Sequence, residues 1–305
     1  MKQAPSTRSL RQQFSIASFA LCLLLAGQET GRADTVYATS ITTYSIYSVN
    51  SSGTATFFAN AGLNYPTGLA FDSAGYLYAA SANANDIMKF DPAGVGTVFA
   101  SPGFGLTGLA FDKAGNLYAA DHSNSRILKF DTSGAFTLFA NTGLSDPFGM
   151  AFDTNGNLYV ANRGDNTIEK FDSSGVGTLF ANTGLSQPGG LAIDSAGFVY
   201  AANQGNGTIE KFNSSGVGTL FAHTTLNHVN QMAFDSAGYL YTAEGELFSP
   251  GGIEKFDTAA VGTILSTATG STWGVAISQV PEPSTWNLLV LGCAAVFSGL
   301  RSRRR

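Results

Sequence analysis

The stretch Gly68-Leu69-Ala70-Phe71-Asp72-Ser73-Ala74-Gly75-Tyr76-Leu77-Tyr78-Ala79-Ala80 returns almost letter for letter from Gly108, Gly149, Gly190 and Gln231, with first residues 40, 41, 41 and 41 apart. A fixed period of this length signals one supersecondary unit stacked against its own copies, since a unit so small cannot bury its apolar face alone. Within one copy four short runs are rich in Phe, Tyr, Val, Ile, Leu and Thr: residues 149–153, 158–161, 168–172 and 177–181. Turn signals separate them: Asp153-Thr154-Asn155-Gly156, the polar stretch 162–166, and Asp172-Ser173-Ser174-Gly175. Asp opening a turn accepts hydrogen bonds from local N–H groups, and Gly closing it tolerates positive φ, so these are hairpins between antiparallel strands.

Four antiparallel strands in about 41 residues, repeated, predict the blade of a β-propeller. Leu-Ala-Phe and Leu-Tyr-Ala-Ala are apolar on both faces, as a blade between two neighbours requires, and the small residues Gly68 and Ala70 suit an innermost strand crowded near the axis. A right-handed β-solenoid is the competing repeat fold, but its coils are shorter and lack regular Asp-x-x-Gly hairpins. Residues 36–59 contain the second, third and fourth runs with no first run before them. Five full copies begin near Pro66, Leu106, Pro147, Pro188 and Val229, and residues 273–278 form a first run with no blade after it. The orphan strand fits the gap, and closing a ring this way removes free sheet edges. The expectation is an all-β, six-bladed propeller over residues 34–280, its first blade completed by the C-terminal strand.

Both ends lie outside that domain. Lys2, Arg8 and Arg11 precede an apolar stretch over 14–26, and Gly31-Arg32-Ala33 ends in a small residue, so residues 1–33 read as a secretory signal peptide. At the other end, Val280-Pro281-Glu282-Pro283-Ser284-Thr285 leads into an apolar run over 286–300 and then Arg301-Ser302-Arg303-Arg304-Arg305. A short transmembrane helix with a basic end should stop in the inner membrane with its arginines in the cytoplasm. Residues 281–305 resemble the PEP-CTERM sorting signal of Gram-negative bacteria. That resemblance implies processing by an exosortase-type transpeptidase near Pro281, Glu282 and Pro283, delivery to the cell surface or medium, and an association with exopolysaccharide or biofilm matrix.

Residues 34–280 carry 8 basic and 19 acidic side chains, a net charge of about −11. Such a domain repels phosphate backbones, which argues against nucleic-acid binding. The chain's two cysteines, Cys22 and Cys293, sit in the terminal signals, so the propeller is expected to have neither disulfides nor thiol chemistry.

The pattern Pro-x-Gly-Leu-Ala-Phe-Asp-x-x-Gly-x-Leu-Tyr-x-Ala-(Asp/Asn), followed by Ile-x-Lys-Phe-Asp, resembles NHL-repeat propellers across residues 36–279. Members of that group commonly serve as platforms for proteins or ligands, and gluconolactonase-type lactonases and streptogramin lyases share the broad six-bladed architecture. Candidate functional residues follow the second run of each blade: Ser81, Asp121, Asn162, Asn203 and Glu244. On one rim of the channel their oxygens would suit a hard cation such as Ca²⁺. Alternatively, each caps its own turn. His228, just before the last inner strand, joins this candidate set, and His122 adjoins Asp121. The recurrent Asp72, Asp112, Asp153, Asp194 and Asp235 read as hairpin openers, and Lys89, Lys129, Lys170, Lys211 and Lys255 as solvated positions on an outer strand. The longer connection from Glu244 to Gly252, with Phe248 and Pro250, is a possible binding edge or a tolerated insertion. With no asymmetric catalytic cluster, the leading expectation is a non-catalytic binding or matrix module for extracellular polysaccharide or a surface protein. A metal-dependent lactonase- or lyase-like enzyme is the alternative, although no Glu precedes Glu169 in residues 34–280, a departure from the lactonases.

Overall fold

The computed structural model describes residues 34–278, except 104, 227, 246–250 and 268. The compact unit runs Asp34–Val280. The signal peptide, the Pro281-Glu282-Pro283 segment, the apolar run over 286–300 and the tip of the 244–252 connection lie outside the described residues. Among those described, no helix is long and apolar enough to cross a membrane.

Six four-stranded antiparallel sheets form the molecule. In blade 2 the strands are Pro66–Phe71, Leu77–Ser81, Asp86–Phe90 and Gly96–Ala100, from the axis outward. Blades 3 to 6 repeat this order with inner strands Leu106–Phe111, Pro147–Phe152, Pro188–Ile193 and Val229–Phe234. Blade 1 is the composite: its inner strand is the C-terminal Thr272–Ser278, which pairs antiparallel with the N-terminal Thr35–Ser40. Each inner strand touches the inner strands of both neighbouring blades, so the ring is closed.

The repeated letters become repeated contacts. Asp72 Oδ1 accepts hydrogen bonds from the Ala74 and Tyr76 N–H groups, both at 2.9 Å, and the other four hairpin aspartates do the same in their blades. The closing glycines, Gly75 to Gly238, hold φ of 85–87°, which side chains other than Gly adopt only with strain. The second oxygen accepts the hydroxyl of the strand tyrosine, as from Tyr200 to Asp194 at 3.1 Å. The recurrent lysines are not simply solvated. Lys129 Nζ lies 5.2 Å from the Tyr118 ring centre and 3.9 Å from Asp112 Oδ2, and the Tyr118 hydroxyl helps hold its ammonium above the usual lysine range.

Blade-to-blade packing is aromatic. Tyr78 meets Phe99 of its own blade and Phe111 of the next edge-on, each at 5.0 Å, and Tyr37, Tyr118 and Tyr200 repeat the pattern. Phe90, Phe130, Phe171, Phe212 and Phe256 are the largest wholly buried side chains. Near the axis, a Cβ on Gly68 or Gly108 would come closer than 3.0 Å to a carbonyl oxygen of the neighbouring inner strand. The expected crowding of that strand is therefore real, and it is backbone against backbone.

Candidate functional site

Two ends of the channel differ in kind. At one end lie the Asp-x-x-Gly hairpins of blades 2 to 6, nearly identical from blade to blade. A cavity of about 490 Å³ opens there, lined by Met150, Leu191, Met232, Phe152, Ile193 and Phe234, with Asp194 and Asp235 at its edge. The other end is built from the linkers between blades and the turns joining second to third strands. In all six blades the first residue of that turn donates its N–H to the carbonyl of the last linker residue: Ile41 to Ser271, Ala82 to Tyr65, His122 to Gly105, Arg163 to Asp146, Gln204 to Gln187 and Gly245 to His228, at 2.9–3.1 Å. One backbone frame is thus copied six times, and the side chains on it differ at every copy.

The frame is bought with backbone strain. Tyr65, Asp146, Gln187 and His228 hold φ of 61°, 51°, 48° and 64°, a left-handed conformation that costs a non-glycine residue about 1 kcal/mol or more and concentrates at ligand clamps and active sites. The residue one step into each inner strand also varies: Thr67, Thr107, Phe148, Gly189, Asn230 and Trp273.

The large members of these positions gather over the channel mouth. Blades 1 and 4 face each other across the axis. The Trp273 ring from blade 1 lies 5.9 Å from the Phe148 ring of blade 4. Tyr65 joins Trp273 edge-on at 5.4 Å, and the Arg163 guanidinium lies 4.9 Å from the Phe148 ring. The Trp273 indole N–H is buried with no hydrogen-bond partner among the described residues. Tyr44, 46% exposed, adds a fourth aromatic ring at the rim. Burial and the adjoining Tyr44 hold the Tyr65 phenol above its usual value, against the pull of Arg163. Beside this cap, Asp146 accepts from Arg163 Nε at 2.8 Å and faces His122 Nδ1 at 3.3 Å. The His122 contact, ahead of the Arg163 pair, holds the Asp146 carboxyl below the usual carboxylate range.

The residues expected at this rim sit one position too early. Ser81, Asp121, Asn162, Asn203 and Glu244 end the second strands, opposite the first residue of the inner strand, and are buried. Their side chains turn into their own blade. Ser81 Oγ accepts from Asn64 N–H at 2.7 Å. Asn162 accepts from Ser145 N–H and donates to the Gly143 carbonyl and Thr167 hydroxyl, and Asn203 repeats this with Ser186, Gly184 and Thr208. Asp121 is taken by Arg126 Nε at 2.7 Å and by Asn124. The five belong to five separate blades, and no group of three or more His, Cys, Asp or Glu that could hold a metal occurs among the described residues. His228 is brought to the same strand end as Glu244, through the Val229–Glu244 pairing. His122 turns to Asp146 rather than Asp121. Glu244 accepts from the Thr242 hydroxyl through Oε1, while Oε2 is buried without a hydrogen-bond partner. Burial, with the nearby Glu254 adding, pushes its carboxyl up to about 8.

Fold and site together define a six-bladed β-propeller with a divergent, aromatic mouth. No protein-family model matches the sequence, and no curated protein is similar to it. Solved structures are similar in fold. A chain from a nidogen/laminin complex superposes with a TM-score of 0.71 at 19% identity, covering 80% of this chain and 98% of that one. Virginiamycin B lyase from Staphylococcus aureus, crystallised with quinupristin, gives 0.60 at 17% identity over 82% of this chain and 94% of its own. A gluconolactonase from Xanthomonas campestris gives 0.59 at 16% identity over 68% and 78%. At such identities the likeness carries architecture, and one architecture hosts unrelated activities.

Proposed function

We propose that the protein is a secreted, surface-sorted, non-catalytic binding module for extracellular polysaccharide, with the aromatic mouth as its recognition face. The observation that carries this reading is the side-chain divergence of a backbone frame repeated at that mouth, where Trp273, Phe148, Tyr65 and Tyr44 meet a polar rim of Arg163, Asp146 and His122. Aromatic rings offer large apolar area at small entropic cost, and a few convergent polar groups set orientation. The apolar C–H faces of a pyranose stack on the accessible rings, Trp273, Tyr65 and Tyr44, with the buried Phe148 beneath them, while its hydroxyls reach the polar rim. The metal-dependent lactonase- or lyase-like reading has less behind it, because Asp121, Asn162 and Asn203 already spend their polar atoms inside their own blades.

The test is affinity electrophoresis in gels containing bacterial exopolysaccharides, comparing the protein with Trp273→Ala and Tyr65→Ala. Retardation that falls at least tenfold in both variants is the expected result. No retardation by any glycan, with a surface protein captured through the same residues, would overturn the polysaccharide assignment. For sorting, replacing Pro281-Glu282-Pro283 by alanines is expected to retain the chain in the inner membrane, read by cell fractionation.

A further inference from the structure

Blade 6 departs from its neighbours at one buried point. In blades 4 and 5 an asparagine ends the second strand and closes on its linker through the Gly143 or Gly184 carbonyl and a threonine on the third strand. The matching glutamates of the third strand, Glu169 and Glu210, are only half-buried. In blade 6 the asparagine is Glu244, the partner threonine is Gly252, and the linker glycine is Thr225. The third-strand glutamate, Glu254, is now 1% exposed, and Glu244 is wholly buried. An amide that donated hydrogen bonds has been replaced by a second acid beside an existing one.

The two acids are close neighbours. Glu254 accepts from Thr225 N–H at 2.8 Å and Thr225 Oγ1 at 2.6 Å. The Thr242 hydroxyl reaches Glu244 Oε1 and the Glu254 carbonyl. Neither carboxylate forms an ion pair with a lysine or arginine among the described residues; Glu244 Oε2 is buried with no hydrogen bond of good geometry, although the Leu226 N–H and the Glu254 carboxyl also interact with the Glu244 side chain. Keeping both acids ionised with no cation beside them would cost several kcal/mol. The groups converging there present oxygens: four from carboxylates and two from hydroxyls. That set suits a hard cation taking six to eight oxygen ligands.

We propose that blade 6 holds a calcium site, with Glu244 and Glu254 as carboxylate ligands and the Thr225 and Thr242 hydroxyls completing the oxygen set. The site lies within the blade, between its second and third strands and its linker, and is independent of polysaccharide binding at the mouth. Its consequence is to fasten the linker that carries His228 to the rim.

The experiment is calorimetric titration of the EDTA-treated full chain with CaCl₂, beside E244Q, E254Q and E210Q. One Ca²⁺ per chain is expected, with a Kd in the ~10⁻⁴–10⁻³ M range of extracellular modules. E244Q and E254Q should each weaken binding at least tenfold. E210Q, the same change in blade 5, should bind as the parent does. Glutamine keeps the shape of the neutral acid, so both variants should fold, and their melting temperatures should no longer respond to Ca²⁺. No saturable binding by the parent, or equal binding by E244Q and E254Q, would overturn the proposal.

Discussion

Asp146 is one carboxylate between two bases, and its depressed pKa links the mouth to pH. A carboxyl held below its unfolded value contributes stability that is present above that value, about 3.9, and lost as pH falls through the folded one. The largest cause is His122. His122→Ala should therefore raise the Asp146 titration midpoint, read by NMR of its carboxyl carbon; an unmoved midpoint would show that Arg163 alone sets it. Core and surface residues of one blade should separate cleanly. Phe171 is wholly buried and Leu179 is 55% exposed. Phe171→Ala should cost about 3–5 kcal/mol in denaturant unfolding, whereas Leu179→Lys should stay within about 0.5 kcal/mol. The hairpin aspartates were legible from letters alone, since Asp-x-x-Gly is local chemistry. The lysine–tyrosine stacks were not, because they depend on two strands pairing in a register that a list of residues does not display.

The element on which closure rests is the strand Thr272–Ser278. It completes blade 1 and touches the inner strands of blades 2 and 6. Ending the chain before Thr272 leaves a three-stranded blade with an unpaired edge, a template for association. Size-exclusion chromatography of that truncation should show oligomers or aggregate in place of a monomer-sized peak. The closure itself followed from counting runs: a blade without its first strand at one end and a first strand without a blade at the other. Ser81, Asp121, Asn162, Asn203 and Glu244 lie one position before the turn that lines the mouth. The recurring last residue of each second strand drew attention, but strand alternation turns that side chain into its own blade. The next residue and its linker partner, the latter in a left-handed backbone conformation in blades 2 to 6, build the mouth. Comparing the repeats column by column for what changes, rather than what recurs, would have found Tyr65, Asp146, Arg163 and Trp273.

At the scale of the whole molecule, a domain of net charge about −11 places an aromatic cap, not a charged field, at the mouth proposed for recognition. Binding of a neutral glycan should therefore change less than twofold between low and high salt, whereas a charge-steered partner would weaken steeply. The sequence by itself determined the blade, the number of blades, the hairpins and the closure of the ring. Those are periodic properties, and a period survives in one dimension because every copy solves the same local packing problem. Only the tertiary structure decided which positions share the channel mouth, that Trp273 meets Phe148 across the axis, and that Glu244 and Glu254 are enclosed together. Those contacts join residues distant in sequence at positions where the repeat is broken, and a broken repeat has no partner in the chain from which its geometry can be inferred.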